Sequence, residues 1–135
     1  MSYQRYLLFL LLVLFNQCIP EIELQERTNF FDPEGTAEAF TVYRHYEVDE
    51  INGKKVVAIE YALELDRFPP DQQPIIEWVM VYKDGNIRYP DIALGRTRIV
   101  ERNLPSGVEV CYQFSVRTFS GDESKRSTPY CFRPD

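Results

Sequence analysis

Histidine occurs once in these 135 residues, tryptophan once and cysteine three times. A single histidine, His45, cannot supply the paired base and orienting groups that activate a hydroxyl or thiol nucleophile, and a zinc site built from several His or Cys ligands cannot be assembled. The six glycines are scattered, and none forms a phosphate-cradling loop. Positive charge is also short, with 15 Lys and Arg against 21 Asp and Glu and a formal net charge of −6. That balance argues against nucleic acid as a partner and against electrostatic adsorption to anionic lipid. The longest apolar run, Leu7–Phe15, would rise only about 13–14 Å as a helix, against a bilayer core of about 30 Å. These absences argue against an enzyme: no catalytic residue, metal ligand or cofactor is assigned.

What is present begins with an export pattern. Arg5 precedes the run Leu7–Phe15, and the polar pair Asn16-Gln17 follows it, so residues 1–17 read as a signal peptide. The run Leu14-Phe15-Asn16-Gln17-Cys18 resembles a bacterial lipobox in its looser, spirochaete-like form, with Gln17 where the strict pattern has a small residue. The resemblance implies lipidation at Cys18 and a membrane anchor through its acyl chains. The alternative is a plain secreted protein. Residues 18–38, with Pro20, Pro33 and five acidic side chains after the cysteine up to Glu34, read as the lipidated cysteine and a tether. Within them Phe30-Phe31 is expected to dock on the domain. The stretch Asn29–Gly35 is similar in composition to the segment after the lipidated cysteine of spirochaete lipoproteins.

From Phe40 the dominant period is two. Val57, Ile59, Tyr61, Leu63 and Leu65 alternate with small or charged residues, the pattern of a half-buried strand. Phe40, Val42, Tyr46 and Val48 follow the same rhythm, and His45 falls on the opposite, surface side. Asn52-Gly53 between the runs is a type I′ hairpin signal. Folding on it pairs Val48 with Val57, Tyr46 with Ile59, Val42 with Leu63 and Phe40 with Leu65. A strand from Ile75 to Tyr82, apolar on both alternate sets, reads as central and ends at Asp84-Gly85. A short segment near Thr97–Val100, the alternating strand Val108–Val116 and a return strand through Tyr130 and Phe132 complete the pattern. No stretch supports a long helix. Residues 39–135 are therefore expected to form an all-β fold, a single antiparallel β-sandwich of about seven strands.

Folding the last hairpin about Gly121 sets Cys111 opposite Cys131 and Tyr112 opposite Tyr130. Opposed residues have Cβ atoms about 4.5–5.5 Å apart, near what a disulfide accepts. The alternative is two unpaired surface thiols in a reducing compartment.

Leu104-Pro105-Ser106-Gly107, the strand Val110–Val116, the loop Ser120–Arg126 and the Ser127-Thr128-Pro129 return resemble the E–F corner and F–G hairpin of a fibronectin type III domain. A strand F to strand G disulfide is similar to the variant in cytokine-receptor modules. The resemblance covers about residues 40–135 and implies strand C at Ile76–Tyr82, with Trp78 in the place of a core aromatic. It implies a binding or spacer module with the B–C loop (residues 66–74) and the F–G loop at one end. Phe68 is then the candidate exposed aromatic anchor, or else it folds back on the sandwich rim. Asp122, Glu123, Lys125 and Arg126 add charge of both signs at the same end. The function expected is a non-catalytic, lipid-anchored module at the cell envelope that binds a protein partner. A structural subunit of an envelope complex and a secreted receptor-like module are the alternatives.

Overall fold

The computed structural model describes residues 30–31 and 38–135. The signal peptide, Cys18 and most of the tether lie outside the described residues. Seven strands form, β1 (Phe40–Ile51), β2 (Lys54–Leu63), β3 (Ile76–Lys83), β4 (Asn86–Ala93), β5 (Arg98–Pro105), β6 (Val110–Thr118) and β7 (Tyr130–Phe132). They make two antiparallel sheets, ordered β1-β2-β5 and β4-β3-β6-β7, packed as a β-sandwich compatible with an immunoglobulin-like or fibronectin type III-like fold.

Turn chemistry sets both tight hairpins. Asn52 and Gly53 have φ of 52° and 71°, and Asp84 and Gly85 have φ of 49° and 82°. Two consecutive left-handed residues are what a type I′ turn demands, and its twist matches that of the flanking strands. The second turn feeds β4, a strand that β-propensity does not announce because Pro90 and Asp91 interrupt it.

The β1–β2 register departs from the expected one. Ile51 faces Lys54, but Tyr46 faces Ala58 and Phe40 faces Leu63, with register shifts at Tyr43 and Val48. Each β-bulge advances β1 by one residue and flips the side-chain alternation. Two bulges restore the parity, so Phe40 still reaches the core while Tyr43 and Val48 are exposed. The stretch between them is inverted. His45 therefore opposes Ile59, and its exposed ring stacks on Phe132 at 4.0 Å and hydrogen-bonds the Tyr130 hydroxyl at 2.8 Å.

The core lies between the sheets. β2 contributes Val57, Ile59 and Tyr61, β3 contributes Val79 and Val81, and β6 contributes Tyr112, Phe114 and Val116. Full burial of a side chain such as Phe114 stabilises the fold by about 1.5–3 kcal/mol. Trp78 is not among these residues; it is half-buried, and the inward positions of β3 are valines. A register shift between Ile76 and Trp78 accounts for the change of face. The outer face of β3 is buried as well, at Met80 and Tyr82, as expected of a central strand.

Cys111 opposes Cys131 and Tyr112 opposes Tyr130, and the two sulfurs are bonded. Beyond the disulfide the return segment stays beside β6 through two serines. Ser124 and Ser127 donate their N–H groups to the carbonyls of Val116 and Phe114 (2.9 and 2.8 Å), and their hydroxyls accept the N–H groups of those same residues at 3.0 Å. Both serines are buried. Hydroxyls thus replace carbonyls and satisfy the β6 backbone where the ladder is irregular.

Candidate functional site

The loop between β2 and β3 and the turn after β6 converge at one end of the sandwich. Phe119, in the turn after β6, donates its N–H to the Ile75 carbonyl at 3.1 Å, which ties the turn to the start of β3. Around this junction lies an open groove of about 300 Å3 lined by Phe31, Gln72, Ile75, Thr118, Asp122 and Glu123.

Phe68 is not the exposed anchor of this end. It is 1% exposed and stacks on Phe30 with ring centroids 4.1 Å apart, and Phe31 approaches at 6.3 Å. The alternative reading, a fold back onto the rim, is the one observed. An aromatic followed by two prolines gains more from this three-ring contact than from water. Phe30 is itself buried and its carbonyl accepts the Lys125 N–H at 2.9 Å, so the docking expected for Phe30-Phe31 is present. The aromatic that does face solvent is Phe119, 69% exposed, beside Ile75 at 45%. Its place just past the end of β6 was the available signal for it. Position 119 ends the regular period, so its side chain has no assigned sheet face.

The charged tip residues divide into two groups. Asp122 closes the turn: its N–H donates to the Thr118 hydroxyl at 3.1 Å and its carboxylate accepts from Ser120 at 2.7 Å. Glu123 turns back onto β3 and β6, accepting from the Tyr82 hydroxyl and from Ser115 at 2.7 Å. Arg126 lies over the Tyr82 ring, 3.6 Å from its centroid, and 3.9 Å from Glu123. Burial first, then Glu123, holds the Tyr82 phenol above its ordinary range. Lys125 is exposed. The structure therefore brings Asp122 and Glu123 to the groove, sets Arg126 on the outer face of β3 and places Phe68 beneath.

Local sequence pattern did not single out Glu101. Its inward position on β5, in step with Ile99, was the available signal. Glu101 is fully buried between the sheets and accepts from Arg88 Nε (2.9 Å), Tyr89 Oη (2.8 Å) and Tyr112 Oη (2.9 Å), with Lys83 Nζ at 3.4 Å. Burial pushes its carboxyl up, but Arg88, the two phenols and Lys83 outweigh it and hold the group below the usual carboxylate range. Every lone pair of this carboxylate is engaged, so it offers no base to a substrate. It cross-links β5 of one sheet to β3, β4 and β6 of the other.

Among the described residues no group of three His, Cys, Asp or Glu side chains is placed to hold a metal ion. No protein-family model and no curated protein matches this chain.

Proposed function

We propose that this chain is a non-catalytic binding module, exported and anchored at the cell envelope through lipidated Cys18, whose loop end receives a protein partner. The observation that carries the reading is Phe119, an aromatic 69% exposed and bonded through its backbone to Ile75, which lines the groove together with Asp122. Exposed aromatics on scaffold-held turns are the residues that dominate interface energy once covered. Strand order β1-β2-β5 over β4-β3-β6-β7 and the β6–β7 disulfide support the fibronectin type III likeness, in its cytokine-receptor variant. A disulfide also fits an oxidising compartment.

The test is site-specific photocrosslinking in native cells, with the crosslinker at position 119 or at position 87, an exposed isoleucine beside the Asp84-Gly85 turn. The reading expects one discrete adduct from position 119, abolished by Ile75→Asp, and none from position 87. Equal labelling from both positions contradicts it.

A further inference from the structure

We infer that the free edge of β5 is a docking strand for an extended acidic segment of a partner protein, a surface separate from the loop end. Among the described residues four strand edges are open, and three are blunted along their length. β1 carries two bulges, β4 contains Pro90 and an irregular register, and β7 is three residues long between Pro129 and Pro134. Those are ordinary devices against edge pairing. β5 has a bulge of its own at Arg102–Asn103 and ends in Pro105, but ahead of these it pairs with β2 without interruption from Arg98 to Glu101.

Backbone direction follows from one bond. The Thr97 carbonyl accepts from the Tyr61 N–H at 2.9 Å. In an antiparallel ladder a residue's N–H and C=O point the same way and the direction alternates, so Ile99 and Glu101 also turn to β2 while Arg98 and Val100 turn outward. A hydroxyl contact from Tyr89 reaches the outward Val100 carbonyl at 3.5 Å, the long limit of such a bond.

The chemistry beside this edge selects the occupant. A groove of about 350 Å3 at this edge is lined by Tyr89, Ile92, Ile99 and Val100 together with Arg96, Arg98 and Arg102. All three arginines are exposed in a chain of net charge −6. Among the described residues no carboxylate pairs with Arg96 or Arg102, and Arg98 donates to the neutral Tyr46 hydroxyl at 3.2 Å. Of the nearby acids, Glu101 faces inward to Arg88 and Lys83, and Glu60, opposite Arg98 on β2, is in contact with Arg44. Within the regular stretch an added strand sets its backbone against Arg98 and Val100 and a carboxylate against Arg98, with Arg96 and Arg102 at the two ends of that stretch to take further acids.

The probe is a blocked Glu-Val repeat of about eight residues, one strand length, added to the 15N-labelled full chain. Hydrogen exchange at the amides of Arg98 and Val100 is expected to slow at least about tenfold, with Ile99 and Glu101, already paired inward, unchanged. Neutralising the groove as R96Q/R98Q/R102Q is expected to weaken binding at least about tenfold, the worth of two or three exposed ion pairs, while leaving the free protein's amide spectrum dispersed. A Lys-Val repeat should not bind. Binding of the acidic repeat without the alternating protection overturns strand pairing. Preference for heparin or for phosphatidylglycerol vesicles overturns the peptide as occupant, and absence of binding overturns the site.

Discussion

Phe30 stacks on Phe68 with ring planes 29° apart, joining a residue ten positions before the first strand to the loop that links β2 and β3. The pair, with Phe31 beside it, seals the end of the core under the F–G turn. Phe68→Ala is therefore expected to cost about 3–5 kcal/mol in urea unfolding, as a buried aromatic truncation does. Phe119→Ala should leave the unfolding midpoint within about 0.5 kcal/mol, as an exposed residue does. A small effect at Phe68 would return it to the surface.

Glu101 predicts an acid limb of stability. Its carboxyl titrates below 4.5, the value of an unperturbed glutamate, so the folded state is favoured whenever the group is ionised. That stability is complete above the unfolded value and is lost as pH falls through the lower folded one. Glu101→Gln, which leaves Arg88 and Lys83 without their anion, should cost about 3 kcal/mol at pH 7. The gap from the parent protein should narrow below about pH 4.5, read by urea unfolding across pH.

Two buried tyrosines should respond to loss of the hydroxyl in opposite directions. Among the described residues the buried Tyr61 hydroxyl has no hydrogen-bond partner, and burial pushes its pKa up to about 12. Tyr112 donates to Glu101, and burial and that charge raise its phenol further. Tyr61→Phe is expected to be neutral or stabilising by up to about 1 kcal/mol, whereas Tyr112→Phe should destabilise by about 2 kcal/mol. Thermal unfolding of the two variants side by side checks the contrast.

Strand faces were legible wherever the period of two ran unbroken. Val57, Ile59 and Tyr61 on β2 and Tyr112, Phe114 and Val116 on β6 all face the core as alternation requires, and the Cys111–Cys131 pairing followed from hairpin symmetry. Where a bulge intervened, alternation misled. Tyr43 and Val48 shifted the β1 register, and the irregularity near Glu77 turned Trp78 outward, because bulges leave no fixed residue signature. The loop end was legible as a place but not as a side-chain set. Whether Phe68 or Phe119 faces solvent depends on Phe30, a contact across 38 residues of sequence that no local pattern encodes. The Glu101 cluster was hidden for the same reason, since its partners come from β3, β4 and β6.

The proposed function requires export from the reducing cytosol, an acyl anchor at Cys18 and the Cys111–Cys131 bond. Intact-mass analysis of the protein purified from its native cells tests this most directly. The predicted mass lacks residues 1–17, carries acyl chains on Cys18 and is two hydrogens short at Cys111 and Cys131. A chain that retains residues 1–17, with both later cysteines as free thiols, would contradict it.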